Sequence, residues 1–415
     1  MSMSEWVRSF TRVVLAIVGL VGYSHAQDTK SVPPTKKPNI VFILVDNIGW
    51  GTFGVYGGTI PTPRIDKMAS EGQAGREAKV SFRIKFSNAL IIFAILGAAS
   101  PVLAQQKGQW VPGQFGLNAG VIPEPGFTYA NLALSYSASQ LNNSNGNGLP
   151  GISGNYSFWV DENIIYYVPK HKILGGYFMP YISLNYATGE LVASFTGTNL
   201  SGAGGGSGFA DTYVQPLNMG WHFGKRVDFV AGYSFTAPTG RFTQGASNNV
   251  GSGYWGNNIT SGTTLYITKN QGTTANLSTN WEIHGQKSGT NVSPGQAFTM
   301  EWGIGQVLPL KKDMSMLAQV GVVGYDQWQV SHSSGTLVLP SPLPPIPERA
   351  IPFYSVHAIG VQGNFILPAK NIVAFFKYYN EYRALSRPEG RTIDFGFSWT
   401  LRIPKPVPQP QAATS

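Results

Sequence analysis

The feature that most constrains this chain is a strict two-residue alternation of greasy and polar side chains in residues 217–235. Val227, Phe229, Ala231, Tyr233 and Phe235 alternate with Asp228, Val230, Gly232 and Ser234. Strand side chains point to opposite faces in turn, so this run has one apolar face and one face that tolerates a carboxylate. Just upstream, Leu217, Met219, Trp221 and Phe223 alternate with Asn218, Gly220 and His222, and the two runs meet at Gly224-Lys225. That is the signature of a tight hairpin. A soluble sandwich and a membrane barrel both use such hairpins, so the rest of the chain has to decide between them.

Charged residues make up 12% of the chain, about half the usual share of roughly 25%. Low charge with 50 Gly, 23 Phe, 19 Tyr and 10 Trp suits short strands, glycine loops and aromatic girdles. With no cysteine, neither a disulfide scaffold nor a thiolate metal site is available. The net charge of +9 is concentrated: residues 1–104 hold 11 Lys/Arg against 6 Asp/Glu, and residues 105–415 hold 18 against 14. No basic stripe interleaved with aromatics occurs, which argues against nucleic acid as a partner.

From residue 105 onward the alternation repeats. Candidate strands fall at 126–138, 154–168, 172–187, 210–223, 226–237 and 262–269, then at 273–285, 297–309, 314–330, 353–366, 371–384 and 391–403. Short turns such as Gly224-Lys225 and Asn270-Gln271-Gly272 alternate with long polar or Gly/Pro-rich loops at 139–153, 188–209, 238–261, 286–296, 331–352 and 385–390. A soluble sandwich has no reason to keep that alternation, whereas outer-membrane barrels do. The expected fold is therefore all-β: a transmembrane up-and-down antiparallel β-barrel of about twelve strands, with both termini on the short-turn side and a poorly structured N-terminal extension. No stretch of 105–415 is apolar for the ~18 residues a helical span needs.

The last strand is the clearest. Ile393, Phe395, Phe397, Trp399 and Leu401 are expected to face lipid, and Thr392, Asp394, Gly396, Ser398 and Thr400 the lumen. The implied partners are the lipid bilayer with its lipopolysaccharide and the barrel-assembly machinery that reads such C-terminal aromatic strands. The same repeat turns Asp228, Glu282, Glu301, Lys377, Glu381 and Asp394 inward. Charges inside a barrel meet water or each other, whereas lipid-facing ones cost up to a few kcal/mol at mid-membrane. Two readings stand for these six: a selective lining, or ion pairs bracing a narrow lumen. His222 and His284 also have lumen parity, but none of the six histidines stands at metal-ligand spacing. No Ser/His/acid grouping marks a nucleophile. The expectation is a non-enzyme with no cofactor and no metal.

Ahead of residue 105 the chain is of a different kind. Residues 1–26 carry Arg8 and Arg12, the apolar run 13–21 and Ser24-His25-Ala26, the pattern of a secretory signal. Residues 80–104 repeat it with Arg83, Lys85, an apolar core at 89–99 and Val102-Leu103-Ala104. Between them, KPNIVFILVDNIGWGTFGVYGGTIPTPRIDKMASEG at 37–72 resembles the extreme N-terminus of the sulfatase family, whose first strand brings two adjacent aspartates to calcium. Here that pair is Asp46-Asn47, which reduces the charge of the site. The nucleophile motif of that family, Cys or Ser followed by x-Pro-x-Arg, does not occur. The segment 27–79 therefore reads as an orphan fragment without catalytic competence and with a vestigial calcium position. Two export signals in one chain suggest two joined reading frames. The resulting organisation is a signal at 1–26, the fragment at 27–79, a second signal at 80–104, the barrel at 105–403 and a Pro-rich tail at 404–415.

The run 208–255 contains D-x-Y-x-Q-P-L-x-x-G-W-H, then A-G-Y-x-F-x-A-P-T-G-R-F, then A-S-N-N-V-G-x-G-Y-W. Together with NWEIHGQKSGTNVSPGQAF at 280–298, VGVVGYDQWQV at 320–330 and YYNEYRALSRPEGRT at 378–392, it resembles the phenol-degradation meta-pathway family of outer-membrane proteins. The likeness covers about 106–403. It implies a barrel linked to aromatic or other small hydrophobic compounds and to their passage, by diffusion through a weakly selective lumen gated by the outer loops. Pro238-Thr239-Gly240 is the family's signature turn. Its simplest role is geometric, because Pro fixes φ and Gly permits positive φ. The alternatives are the sulfatase-like hydrolase of 37–72 and a structural outer-membrane barrel without transport.

Overall fold

The structure, a computed structural model, describes residues 108–149, 152–195, 201–338 and 345–402. Both export signals, the sulfatase-like segment with Asp46 and Asn47, and the tail 404–415 lie outside the described residues.

The strands are β1 (Gly126–Leu141), β2 (Ile152–Val168), β3 (Tyr177–Phe178), β4 (Tyr181–Phe195), β5 (Ser201–Phe209), β6 (Thr212–Phe223), β7 (Val227–Ala237) and β8 (Gly256–Tyr266). Then follow β9 (Thr273–His284), β10 (Ala297–Pro309), β11 (Leu317–Gln329), β12 (Thr336–Leu337), β13 (Ile346–Pro347), β14 (Ser355–Leu367), β15 (Ile372–Leu385) and β16 (Pro388–Arg402). Fourteen of them form one antiparallel sheet, in which β16 pairs with β1 and β4 pairs with β6, so the sheet closes on itself. The pair β12–β13 is a small separate hairpin within an outer loop.

The fourteen make twelve staves, because two pairs are single strands with an interruption. β4 pairs with β5 along one half and with β6 along the other, and the chain changes register only around Ala210-Asp211. β3 pairs with β6 below the point where Pro180 breaks β3 from β4. The protein is a closed twelve-strand antiparallel barrel with the start of β1 and the end of β16 at the short-turn rim.

The dyad repeat sets which face goes where. On β16, Ile393, Phe395, Phe397, Trp399 and Leu401 are exposed on the outside, while Thr392 and Asp394 are buried inside. The outer wall carries exposed aromatics toward each rim: Phe127, Tyr167, Phe223 and Trp399 by the short turns, and Trp159, Trp255 and Trp281 toward the long loops. Such an arrangement is the aromatic-girdled apolar band of a bilayer-spanning barrel.

Three stretches depart from the periodicity. The range 188–209, expected as a loop, contains the rest of β4, to Phe195, and β5, from Ser201. The sequence SGAGGGSGF of β5 has almost no side chains with which to show alternation. Strand 262–269 starts earlier, at Gly256, because GNNITSGTTLY is polar or small on both faces and gives no contrast. The range 385–390, expected as a long loop, is a two-residue turn at Ser386-Arg387, with Ser386 at a φ of +54°.

Candidate functional site

The lumen is not empty. Residues 108–123 enter it near the long-loop rim and descend through it to the start of β1, forming an internal plug. Its sequence, GQWVPGQFGLNAGVIP, explains the path. Gly113 and Gly116 adopt φ of +100° and +52°, turns that a side chain disfavours, and Gly116–Asn118 form one 3-10 turn. Trp110, Val111, Leu117 and Ala119 are all buried. The wall is thinned to receive them. A Cβ on Gly303 or on Gly305 would come within 2.9 Å of the Leu117 methyls, and one on Gly262 would run into the Ala119 carbonyl.

Backbone groups inside a barrel need partners, since an unpaired buried N–H or C=O is costly. The plug has no ladder of its own, and the lumen charges supply what it lacks. Glu301 accepts from the N–H of Gly113 (3.0 Å), the N–H of Phe115 (2.8 Å) and the indole of Trp110 (3.2 Å). Glu282 accepts from the N–H of Gln109 (2.7 Å) and of Trp110 (3.0 Å). In the opposite sense, Lys377 Nζ donates to the carbonyls of Gly113 (3.1 Å) and Gln114, and the Tyr379 hydroxyl donates to Gly113 O (3.1 Å). Gln327, Gln362 and Thr264 complete the attachment at Trp110 O, Leu117 N and Gly120 N. Charge-assisted bonds of this kind are about twice as strong as neutral ones.

All six charged residues expected in the lumen are buried there, but they do not form one network. Glu282 and Glu301 hold the plug. Lys377 holds it too, and meets Asp394 at 3.0 Å as an ion pair rather than as a directional hydrogen bond. Glu381 stands at the long-loop end, where it accepts from Tyr136 (2.8 Å), Tyr325 (3.1 Å) and Gly390 N (2.6 Å) and pairs with Arg387 at 3.4 Å. Asp228 sits near the short-turn rim with His222 (2.6 Å) and the Tyr266 hydroxyl (2.9 Å). The second lumen-parity histidine, His284, lies between Glu282 (3.3 Å) and the Gly295 carbonyl (2.8 Å). In the turn Pro238-Thr239-Gly240, the Gly240 N–H donates to Asp211 at 3.0 Å and Thr239 meets Thr212. The same Asp211 carboxylate receives Ser252 N at 2.8 Å. The turn thus pins the long loop after β7 to the β5–β6 bulge.

Three elements of the site went unseen in the sequence: the plug, Arg387 and Glu162. Glu162 follows Asp161 and precedes Asn163, so three polar residues in a row blur the parity. In the structure Glu162 is buried inside, while Asp161 turns outward and is satisfied by Asn131 (2.7 Å) and Asn163 (3.1 Å).

The plug hugs the wall made by β8–β11 and β14–β15. Beside itself the plug leaves a cavity of about 760 Å³, lined by β1, β2, β4, β6 and β7 and also by residues of β8, β14, β15 and β16. The β1–β7 side is the more apolar and aromatic one, with Thr128, Ser183, Asn185 and Gln215 among its polar members. Leu132, Val160 and Ile164 line it, and a file of rings runs along it. Phe115 is 5.7 Å from Trp110, Trp110 5.8 Å from Tyr213, Tyr213 5.6 Å from Tyr181, and Tyr181 4.6 Å from Tyr166. Glu162 opens onto the same space and is touched by the Gln114 amide of the plug at 3.3 Å. Among the described residues, no group of three or more His, Cys, Asp or Glu side chains could hold a metal ion.

A family model described as "Putative MetA-pathway of phenol degradation" matches residues 138–397. The chain belongs to that family. Among solved structures it is similar to an outer-membrane channel from Pseudomonas putida F1, with 12% identity, a TM-score of 0.54, and coverage of 70% of this chain and 100% of that one. That likeness supports the fold of an outer-membrane barrel. The β-domain of a Bordetella autotransporter is more distant, at a TM-score of 0.41 and 12% identity. Among curated proteins, the N-acetylgalactosamine-6-sulfatase of Rattus norvegicus is 56% identical over 36 residues, which is 8% of this chain and 7% of that protein. The Sus scrofa counterpart is 30% identical over 84 residues, 13% of its length. The chain therefore spans only a small fraction of the sulfatases it matches.

Proposed function

We propose that this family member is a passive outer-membrane channel for small aromatic, phenol-type compounds, and that solutes travel beside the plug rather than through an open pore. The observation that carries this reading is the 760 Å³ cavity, along which a file of Tyr, Trp and Phe rings runs from the plug to β2. A single-ring solute stacks on such rings for about 0.5–1.5 kcal/mol each beyond its buried area, enough to favour entry without trapping the solute. The plug is the gate, and the outer loops pinned at Asp211 cap the opposite end. The barrel sits in the bilayer with the long loops outward among lipopolysaccharide, after export through a signal peptide and insertion by the barrel-assembly machinery.

Nothing in this mechanism calls for a cofactor or a catalytic step, and we place the chain among channels rather than enzymes. The sulfatase-like segment is too short to bury a core of its own. Reconstituted liposomes test the reading. Phenol influx should exceed that of a hydrophilic solute of equal size, and should rise when residues 108–120 are deleted. Phenol influx no faster than in protein-free liposomes, with or without the deletion, defeats the proposal.

A further inference from the structure

The lumen is acidic, and one of its acids is set apart from the rest. Among the described residues, seven buried carboxylates face two buried cations, Lys377 and Arg387. Asp394 and Glu381 have those two cations as partners. Glu282, Glu301 and Asp211 are held by backbone N–H groups. Asp228 has His222 and Tyr266. Glu162 has no backbone donor and makes no close ion pair, although Lys377, which lines the same cavity, acts on it from a distance. Its side chain meets only the amide of Gln114, at 3.3 Å, on a flexible side chain of the plug.

Glu162 also stands where a solute would pass. It lines the aromatic cavity, two residues before Ile164 and four before Tyr166 on the same inward face of β2. A carboxylate beside Tyr166, Tyr181 and Tyr213 combines an acceptor with the negative faces of the rings, and both attract a donor or cationic head. With Glu162 ionised, the same combination repels a solute carboxylate, and the surplus of lumen acids adds to the repulsion.

We infer that Glu162 is the specificity-determining residue of this passage: it accepts a hydrogen bond from the hydroxyl or ammonium of a single-ring solute, displacing Gln114, and it excludes aromatic carboxylates. The inference deepens the channel reading and rests on it for the direction of travel, but the binding site itself can be measured without any flux.

The test uses the full-length protein purified in detergent, titrated calorimetrically with phenol, benzylamine and benzoate, and then the same protein in liposomes. Phenol and benzylamine should bind at least tenfold more tightly than benzoate. Glu162→Gln, which keeps size and shape, should cut the preference for benzylamine over benzoate by about tenfold. Gln114→Ala, which leaves the wall intact, should retain the preference and tighten phenol binding. Heat-modifiable migration on gels checks that both variants are folded barrels. Equal binding of the three solutes to the native protein overturns the inference, as does a Glu162→Gln variant with unchanged preference. A loss of preference in Gln114→Ala as large as in Glu162→Gln also overturns it, because cavity shape would then be the cause. Binding that depends on Glu162, with no solute crossing liposomes, leaves the site standing and sinks only the passage. Phenol flux that ignores Glu162 does the reverse.

Discussion

The two halves of the lumen wall solve different problems. The half built from β8–β11 and β14–β15 presents Glu282, Glu301, Gln327, Gln362 and Lys377, each of which finishes a hydrogen bond that the plug backbone cannot finish alone. The half built from β1–β7 is less polar, presenting rings and aliphatic side chains beside Glu162, Asp211, Gln215 and Asp228, and touches the plug through Trp110, Val111 and Gln114. One half is an anchorage and the other a passage. The lesson is that lumen charge in a small barrel need not line the conduit. Here Glu282, Glu301 and Lys377 fix an internal segment, and the conduit lies on the less polar side. Lys377 with Asp394 and Arg387 with Glu381 are buried ion pairs, and beside the two readings of the six charged residues, selective lining and ion-pair bracing, stands a third role, that of Glu282, Glu301 and Lys377 as cleats for the plug.

That contrast predicts where substitutions hurt. Lys377→Met should be the most damaging change of a single side chain. It strands Asp394, which is fully buried, without its cation, and removes a donor from two plug carbonyls. Breaking one partner of a buried ion pair costs about 3–5 kcal/mol. A fall in thermal midpoint well beyond that of any passage-side variant is expected, and pairing the change with Asp394→Asn should recover much of it. If the double variant is no more stable than the single one, the ion pair is not what Lys377 contributes.

Glu301→Ala should come next, and it should act on the gate rather than on the barrel. Three donors lose their acceptor, at about 1–3 kcal/mol for each one left buried and unpaired. The plug can avoid that cost by leaving the lumen and hydrating. Limited proteolysis should then cut within 108–123, and liposome permeability to small solutes should rise severalfold with the barrel still heat-modifiable. An intact plug with unaltered permeability would show that Glu301 is not its principal cleat.

How much of this was legible in the sequence follows from the same division. The dyad repeat gives the staves almost to the residue where inner and outer faces differ in polarity, as in β10, expected and observed at 297–309. It also turns Glu301 and Lys377 inward correctly, because each is flanked by apolar neighbours. It fails where there is no contrast to read, in the glycines of β5 and in Asp161-Glu162-Asn163. The plug could not be found by periodicity at all. GQWVPGQFGLNAG has the composition of a loop, and its hydrogen-bond partners lie 48 to 266 residues away. The one signal available was negative: Gly, Trp, Phe and Leu are an expensive choice for a segment meant to lie in water.

Within the anchorage itself, glycine gives a sharper comparison at smaller magnitude. Gly262→Ala would drive a methyl into the Ala119 carbonyl, whereas a Cβ on Gly363, on β14 in the same barrel, meets nothing within 4 Å. Overpacking costs about 1–3 kcal/mol, so Gly262→Ala should loosen the lower plug. Gly363→Ala should be nearly silent in both melting and permeability. Equal effects would mean that the tight seat of residues 119–120 is unimportant for closure.

The smallest expected effect is on the passage side, at Tyr213→Phe. The hydroxyl donates to Gln215 Oε1 at 3.0 Å, and a neutral bond of that kind contributes about 0.5–1.5 kcal/mol net. The ring, which carries the contacts to Trp110 and Tyr181, is kept. Stability should therefore fall by about 1 kcal/mol or less, and phenol influx into liposomes should change by less than about threefold, since the rings rather than this hydroxyl are what a planar solute stacks on. Tyr213→Ala at the same position interrupts the file of rings and should slow phenol more than it slows a hydrophilic solute of equal size. If Phe and Ala at residue 213 behave alike, the rings only fill space, and the distinction between an anchoring wall and a conducting one loses its physical basis.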